Sequence, residues 1–267
     1  LRYRKDVHHK PVVVWNTTKK CNLKCVHCYA RSDRKNYSEE LTTEQGKKLI
    51  TNLAEFGVPV LLFSGGEPLM RKDLFELAEH AKDLGLRTVL STNGTLINKD
   101  IAQKLKQTGF SYIGISLDGL EETNDKFREQ QGAFRNTIQG MRNCISIGVR
   151  TGLRFTLTKN NLGDAYKMFD LIEKEQIPRV CFYHLVYSGR AADLMLEDIS
   201  HIETRNFIDA LVNKVEDFEA KGKNVEMLTV DNHTDAPYLY QKLLEKDPKK
   251  AEEAMKLFKM NGGNSSG

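Results

Sequence analysis

Short apolar runs alternate with amphipathic stretches along most of the chain. Six of the runs are strand-sized and mostly lack polar alternation, which is typical of parallel strands that are buried on both faces. They cover residues 12–16, 60–64, 87–92, 112–118, 152–157 and 180–185. Apolar residues at three- and four-residue spacing predict helices at 43–56, 73–84, 99–108, 134–147 and 164–175. These repeated βα units predict an α/β fold, a partial (β/α)6 TIM-like barrel.

The pattern changes after residue 200. A long amphipathic helix, a further strand and one or two charged helices are predicted at 201–221, 225–230 and 235–259. We therefore divide the chain into a barrel, residues 1–200, and a helical extension, residues 201–267. The final residues, NGGNSSG, are loop material. We expect them to lead into a C-terminal segment that is missing or disordered.

Composition narrows the class of protein. Of the 267 residues, 28% are charged and 40% hydrophobic, as is usual for a soluble globular enzyme. No apolar run approaches the roughly 20 residues that a membrane-spanning helix needs. A net charge of +4 is weak and spread along the chain, which does not favour nucleic acid as a partner. It favours, if anything, an anionic substrate.

The run CNLKCVHC places Cys21, Cys25 and Cys28 within eight residues. Three thiolates leave one iron of a four-iron cluster open to a small molecule, because each iron takes its own ligand besides the bridging sulfides. The same thiols with His27 could instead form a structural zinc site. Such sites normally join a CxxC pair to a second pair, and no second pair follows. The spacing therefore favours an iron–sulfur cluster.

The other two cysteines stand alone. Cys144 falls in a predicted helix and Cys181 in a predicted strand, so we expect both to be buried as small apolar side chains. This arrangement is unlike a disulfide framework. Thiolates that must hold iron predict a reducing compartment, the cytoplasm.

Polar residues follow the predicted strands at the end where barrels of this kind place their active sites. Gly65, Gly66, Glu67 and Pro68 come directly after the second strand. The two glycines allow close approach of the backbone to a ligand, and Glu67 offers a carboxylate for an ammonium group. An ordinary strand-to-helix turn would have the same composition.

The third and fourth strands end in a similar way. Ser91 and Asn93 offer polar groups for ribose hydroxyls, although they also suit a simple Asn-Gly turn. Ser116 and Asp118 end the fourth strand, and Arg128 follows in an expected loop. Its planar guanidinium suits a carboxylate, since it can donate two parallel hydrogen bonds. The alternative for Arg128 is an exposed loop arginine.

The cysteine run resembles the CxxxCxxC signature of the radical S-adenosylmethionine (SAM) superfamily, and the later segments fall where that family has its SAM-binding motifs. The resemblance implies that SAM binds the open iron through its amino and carboxylate groups. One electron from the cluster then yields methionine and a 5′-deoxyadenosyl radical, which takes a hydrogen atom from the substrate. The barrel would position the target carbon and exclude water.

The resemblance also implies roles for individual residues. Cys21, Cys25 and Cys28 would bind the metal cluster and be catalytic, His27 would lie near the adenine, and Tyr29 would cover the cluster. For His27 the alternative is a loop histidine bonded to the backbone. The other implied SAM contacts are Gly65, Gly66, Glu67 and Pro68 at the methionine amino group, Ser91 and Asn93 at the ribose, Ser116, Asp118 and Arg128 at the ribose and carboxylate, and Val186.

Three segments resemble, more narrowly, the radical SAM enzymes of haem and haem d1 biosynthesis. They are KPVVVWNTTKKCNLKCVHCYA, FYHLVYSGRAADL and NGGNSSG. The resemblance implies a tetrapyrrole substrate, iron-didecarboxysiroheme, which loses acetate groups towards iron-coproporphyrin III. Two alternatives are left open: the haem d1 relative that oxidises propionates, and a peptide-modifying radical SAM enzyme.

A tetrapyrrole with several carboxylates needs cationic and hydrogen-bonding groups around a wide opening. Tyr183, His184, Tyr187 and Arg190 lie near the end of the sixth predicted strand and are the candidate substrate residues. His184 either reaches the macrocycle iron or is an ordinary strand histidine that is satisfied inside the barrel.

The resemblance implies further cofactors and partners. Enzymes of this branch usually carry C-terminal cysteines that bind an auxiliary iron–sulfur cluster, and we expect that cluster in the absent C-terminal segment. An electron donor such as flavodoxin or ferredoxin is also implied. We expect neither nucleic acid nor a membrane span.

Overall fold

Seven parallel strands form one sheet in the computed structural model, which describes residues 10–260. Across the sheet the strands lie in chain order, and each pairs in parallel with its neighbour. They are β1 (Val13–Thr18), β2 (Val60–Gly65), β3 (Arg87–Thr92), β4 (Tyr112–Ser116), β5 (Thr151–Thr156), β6 (Arg179–Tyr183) and β7 (Glu226–Val230). Within the described residues, β1 and β7 are the two edges, so the sheet is open as in a partial barrel.

Helices connect the strands. They are α1 (Thr43–Phe56), α2 (Leu74–Asp83), α3 (Lys99–Thr108), α4 (Glu121–Arg128), α5 (Ala133–Ser146), α6 (Leu162–Lys174), α7 (His201–Ala220), α8 (Asp235–Lys246) and α9 (Pro248–Met260). Two 3-10 helices, Pro68–Met70 and Gly189–Glu197, follow β2 and β6. The predicted α/β fold is therefore confirmed. The strand predicted at 225–230 is β7, which pairs with β6 along its whole length.

Helix ends follow local sequence rules. Thr42 and Gln45 form a capping box at the start of α1, and Ser200 and Glu203 form another at the start of α7. Each satisfies backbone N–H groups that the first helical turn leaves without partners. Gly57 ends α1 in the left-handed conformation. These signals explain why both helices begin where the periodicity predicts.

One helix was not predicted. Residues 121–128 form α4, where a loop was expected. Glu121 and Glu122 favour its first turn through the helix dipole, and Glu129 ends it in the left-handed conformation at φ 49°. Eight residues are too few for a clear apolar period. Arg128 is therefore the last residue of a helix.

The two faces of the sheet differ. Side chains on the helix-covered face are completely buried and apolar, among them Leu61, Phe63, Ile113, Leu153, Phe155 and Phe182. On the opposite face, Ser91, Ser116, Arg154 and Tyr183 border a cavity. The prediction that the strands are buried on both faces therefore holds fully only for the helix-covered face, since these four side chains are half-buried. The inner face is partly polar because it borders a cavity.

Two parts of the predictions lie outside this description. Residues 1–9 and the terminal run 261–267, NGGNSSG, are outside the described residues. Within residues 10–260, no helix combines the length and apolar character needed to cross a membrane.

Candidate functional site

A cavity of about 480 Å³ lies at the carboxyl ends of the strands. It is bordered by most of the residues predicted for the site: Cys21, Cys25, His27, Cys28, Tyr29, Gly65, Gly66, Ser91, Asn93, Ser116, Asp118, Arg128, Tyr183, His184, Val186 and Arg190. Glu67, Pro68 and Tyr187 are not in its lining. The parallel sheet thus gathers side chains from separate loops at one edge.

The three cysteines lie in the loop between β1 and α1, and later elements hold that loop in place. The Val26 N–H donates to the Phe127 carbonyl in α4 at 3.0 Å. Arg190 donates from its backbone to the Cys28 carbonyl at 2.9 Å and from Nε to the Cys25 carbonyl at 2.8 Å. Arg190, predicted to face the substrate, therefore fixes the cysteine loop.

Burial shapes the chemistry of the thiols. Burial raises the pKa of Cys21 to about 12, and it raises the pKa of Cys25 although Arg128 opposes the shift. Both groups stay protonated at neutral pH unless a nearby positive charge stabilises the thiolate. Iron provides such a charge, since metal binding displaces thiol protons.

The residues around the cavity fit an iron–sulfur cluster with a polar ligand beside it. His27 Nδ1, Arg128 Nε and Arg190 Nη2 are buried polar atoms without hydrogen-bond partners. Three soft thiol donors border the same space. In the part of the chain that the structure describes, no three His, Cys, Asp or Glu side chains are arranged to hold one metal ion. Cluster thiolates differ in that each binds a separate iron.

A buried ionic network lies behind Cys25. One carboxylate oxygen of Asp118 accepts a hydrogen bond from Arg128 Nη2 and lies 3.3 Å from His27 Nε2. The other accepts from the Thr156 N–H at 2.7 Å. Arg128 Nη1 lies 3.4 Å from the Cys25 sulfur. Arg128 is buried and already paired with a carboxylate of the protein, which differs from the expected loop arginine.

Burial disfavours the charged forms of Arg128 and His27 alike, but their protonation states differ in the end. It would lower the pKa of Arg128, but Asp118 and Cys25 raise it above its ordinary value, so the guanidinium stays charged. Burial lowers the pKa of His27 to about 4, and the nearby arginines act in the same direction. His27 is therefore a neutral imidazole at pH 7. Its ring packs against Phe127 with centroids 5.1 Å apart.

The glycines after β2 are required by the chain itself. A Cβ at Gly65 would overlap the Thr18 carbonyl oxygen, and one at Gly66 would overlap that of Lys20. Gly65 also has a φ of 129°, which side chains rarely adopt. These glycines let the start of the cysteine loop lie directly against the end of β2.

Glu67 differs from the free carboxylate that was expected. It is completely buried, and its oxygens accept hydrogen bonds from Thr92 Oγ1 at 2.7 Å, the Asn93 N–H at 2.8 Å and the Leu69 N–H at 3.1 Å. Burial raises its pKa, while these bonds oppose the shift. Pro68 begins the adjoining 3-10 helix. Glu67 thus holds the end of β3 in place.

Asn93 and Ser91 are similarly engaged. Asn93 Nδ2 donates to Asn22 Oδ1 at 2.8 Å, which ties the cysteine loop to the end of β3. The Ser91 hydroxyl accepts a 2.6 Å hydrogen bond from Arg154 Nη1. Tyr29, nearly half exposed, donates to Asn16 Oδ1 at 2.9 Å above β1. These three side chains line the cavity while bonded to the protein.

The end of β6 contains the residues predicted for the substrate. His184 is buried, lines the cavity and lies 2.9 Å from Asp235 Oδ2 through Nε2. The imidazole thus has a hydrogen-bond partner inside the fold and also borders the cavity. Tyr183 and the half-exposed Val186 line the same wall. Tyr187 turns away and its hydroxyl donates to Asp198.

Sequence reasoning missed several residues that border the cavity. Arg154 and Thr156 lie on the inner face of β5, and Asp231 follows β7 with a φ of 67°. Burial raises the pKa of Asp231. A signal for Arg154 existed, because a lone arginine interrupts an otherwise apolar strand. Asp231 had no comparable signal.

The lone cysteines behave as predicted. Cys144 is completely buried in α5, and Cys181 is buried in β6. Neither borders the cavity. Both predictions are confirmed.

The fold and the three-cysteine loop define a class of protein, and a family comparison agrees. The model of the Radical SAM superfamily matches residues 15–172, more than half of the chain. The chain therefore belongs to the radical SAM superfamily, whose members use an iron–sulfur cluster and SAM.

Two curated relatives narrow the comparison. The chain is 55% identical over 267 residues to Fe-coproporphyrin III synthase of Methanosarcina barkeri, covering all of this chain and 66% of that protein. It is 39% identical over 260 residues to pre-heme d1 synthase of Dinoroseobacter shibae, covering 97% of this chain and 64% of that protein. The chain thus spans slightly less than two thirds of the length of these relatives.

A solved structure supports the fold. SuiB of Streptococcus suis, bound to its precursor peptide SuiA, aligns with a TM-score of 0.73 over 87% of this chain and 51% of that chain. The sequence identity is 18%. At this identity the likeness concerns the fold alone.

Proposed function

We propose that this chain is the catalytic part of a radical SAM enzyme that removes acetate side chains from iron-didecarboxysiroheme, towards iron-coproporphyrin III. The observation that carries the proposal is the 55% identity, along the whole chain, to a protein named Fe-coproporphyrin III synthase. Identity to the pre-heme d1 synthase is lower, at 39%. The difference favours the deacetylation reaction over propionate oxidation.

Cys21, Cys25 and Cys28 hold the iron–sulfur cluster in this proposal. Their shared position at the cavity and the buried polar atoms beside them support the assignment. With SAM, the cluster supplies a carbon radical that takes a hydrogen atom from the substrate. Every other protein group serves to bind, orient and shield.

The surrounding residues divide these tasks. Gly65, Gly66, Ser116 and Val186 border the space proposed for SAM. His27, Ser91 and Asn93 belong to the same set, together with Tyr29. Their bonds to neighbouring loops fix them before a ligand arrives, which lowers the entropic cost of binding.

Four further members of the site act indirectly. Asp118 and Arg128 fix the loop behind Cys25, and Glu67, with Pro68 beside it, fixes Asn93. Arg128 keeps one unpartnered N–H, at Nε, for a ligand. These are positioning roles, since the principal polar groups already have partners in the protein.

Tyr183, His184 and Arg190 form the substrate wall in this proposal, with Tyr187 at its outer margin. An Asp-bonded His184 suits coordination of the macrocycle iron, because a carboxylate that orients an imidazole strengthens it as a ligand. Arg190 has an unpartnered NH2 group, Nη2, for a carboxylate.

The proposal extends to the rest of the enzyme. The barrel unit, assigned to residues 1–200, also takes β7 from the following residues. The part of the chain after residue 200 leads, in this proposal, to a C-terminal segment with an auxiliary iron–sulfur cluster. A flavodoxin or ferredoxin supplies electrons in the cytoplasm. The length of the relatives, which exceeds that of this chain, supports a further segment.

The test is anaerobic turnover. The protein carrying this chain is reconstituted with iron and sulfide, reduced with dithionite and given SAM, with or without iron-didecarboxysiroheme. Mass spectrometry quantifies 5′-deoxyadenosine and the macrocycle. We expect 5′-deoxyadenosine to rise with the tetrapyrrole, and the macrocycle to lose the mass of its acetate groups.

Other outcomes have distinct meanings. SAM cleavage that ignores the tetrapyrrole would contradict the substrate assignment and lead to peptide substrates. Loss of propionate hydrogens with acetates retained would identify the haem d1 reaction instead. An intact cluster that never cleaves SAM would contradict the radical mechanism.

A further inference from the structure

A positively charged side chain without an acidic partner borders the cavity. Arg154 lies in β5, and its Nη1 donates a 2.6 Å hydrogen bond to the Ser91 hydroxyl in β3. Its Nε is buried and has no partner. Among residues 10–260, the guanidinium forms no ion pair, and the acceptor of its hydrogen bond is a neutral hydroxyl. A partly buried charge in this state is costly unless an anion completes it.

The fold provides space for this side chain. Gly114 lies in β4, between β5 and β3, and a Cβ there would overlap Arg154 Nε. In the sheet register, Arg154 pairs with Ser116, and Gly114 pairs with Ser91. The absence of a side chain at position 114 therefore opens the path by which the guanidinium crosses the inner face.

The other arginines that border the cavity are bound to the protein. Arg128 pairs with Asp118, and Arg190 donates to the carbonyls of Cys25 and Ser32. Both contact the cysteine loop, whereas the bonded partner of Arg154 lies in the sheet. Arg154 is thus the cavity arginine whose hydrogen-bond partner lies away from that loop.

We propose that Arg154 binds a side-chain carboxylate of the tetrapyrrole substrate and thereby selects for carboxylated macrocycles. The inference rests on the proposed function. A guanidinium can donate two parallel hydrogen bonds to a carboxylate, and Nε and the neighbouring nitrogen form such a pair. The SAM carboxylate is assigned to the open iron of the cluster and to Arg128 in α4, whereas the hydrogen-bond partner of Arg154 is Ser91 in β3.

Binding measurements test this role without turnover. The reconstituted protein is titrated anaerobically with iron-coproporphyrin III and with its tetramethyl ester, followed by absorbance, and SAM binding is measured by equilibrium dialysis. The variants are Arg154→Gln and Arg154→Lys. Arg87→Gln is the matched control, because Arg87 is exposed at the opposite end of β3.

We expect Arg154→Gln to weaken binding of iron-coproporphyrin III by about ten- to a hundredfold, as for the loss of a charge-assisted hydrogen bond. Arg154→Lys should lose less, because it keeps the charge but not the planar fork. Ester binding and SAM binding should stay as in the unmodified protein for all three variants. Arg87→Gln should bind the acid normally.

Equal weakening for acid and ester, or a loss of SAM affinity, would overturn the inference. So would unchanged binding of the acid. If Arg154→Gln does not fold, Gly114→Ala provides the same test, because it keeps the charge and displaces the guanidinium. Unmodified protein that binds neither macrocycle would instead contradict the proposed function itself.

Discussion

Asp118 connects three parts of the site through one carboxylate. It accepts hydrogen bonds from Arg128 in α4 and from the Thr156 backbone at the end of β5, and it lies beside His27 in the cysteine loop. Asp118 and Arg128 are both buried. Such a network is stable only while each charge keeps its partner. Its effect is to hold the loop around Cys25 against two strands.

Removal of this carboxylate should be costly. We expect Asp118→Ala to lower the free energy of unfolding by about 3–5 kcal/mol, because it leaves Arg128 buried without its partner. The control is Glu76→Ala, which removes an exposed ion pair with Lys47 at 2.6 Å and should cost less than about 1 kcal/mol. Urea unfolding of the protein measures both. If both variants lost a similar free energy of unfolding, the buried network around Asp118 would not stabilise the protein more than an exposed ion pair does.

Cys144 gives a prediction about alkaline stability. Burial raises its pKa from 9.0 to about 11, with a weaker opposing hydrogen bond to Thr151. Because the folded pKa is raised, the contribution of this thiol is complete below pH 9 and is lost as the pH rises through about 11. Between these values the protein should lose about 2–3 kcal/mol relative to Cys144→Ala. Urea unfolding at pH 8.5, 9.5 and 10.5 checks this, and parallel pH curves would disprove it.

At the scale of secondary-structure elements, Glu67 joins the segment after β2 to the end of β3. Its carboxylate binds Thr92 and Asn93, and Asn93 binds Asn22 of the cysteine loop. Neighbouring strand ends are thus fixed by one buried side chain. The positions of Thr92 and Asn93 in the cavity wall depend on this contact with Glu67.

We expect Glu67→Ala to lower the free energy of unfolding by about 3 kcal/mol, because it leaves the buried donors of Thr92 and Asn93 unsatisfied. It should also weaken SAM binding by displacing Asn93, while iron content stays intact. Glu79→Ala, at an exposed position of α2, is the control. Thermal unfolding and equilibrium dialysis measure the two effects. Unchanged SAM affinity in a destabilised variant would contradict the positioning role.

The elements themselves were largely predictable. Apolar runs identified the strands because parallel strands need one fully apolar face, as at Leu61 and Phe63. Arg128 was misplaced because α4 is too short to show a period. The engagement of Glu67 could not be predicted either. It depends on the distance between two strand ends, which sequence spacing does not contain.

At the scale of the whole molecule, the parallel sheet brings loops from far apart in sequence to one cavity. The cysteine motif identified the chemistry, since metal-ligand spacing is local. Arg154 was missed because its role depends on Gly114, one strand away, and on Ser91, two strands away. The sequence therefore indicates what the site contains, while the fold decides which polar groups are free for a ligand.

The central claim is that Cys21, Cys25 and Cys28 hold a cluster that cleaves SAM. The most direct measurement is iron content and 5′-deoxyadenosine formation in anaerobically reconstituted Cys28→Ser, with Cys144→Ala as control. We predict that Cys28→Ser loses SAM cleavage and the iron of this cluster, whereas Cys144→Ala, at a buried cysteine away from the cavity, keeps both. Full iron content and SAM cleavage in Cys28→Ser would contradict the claim.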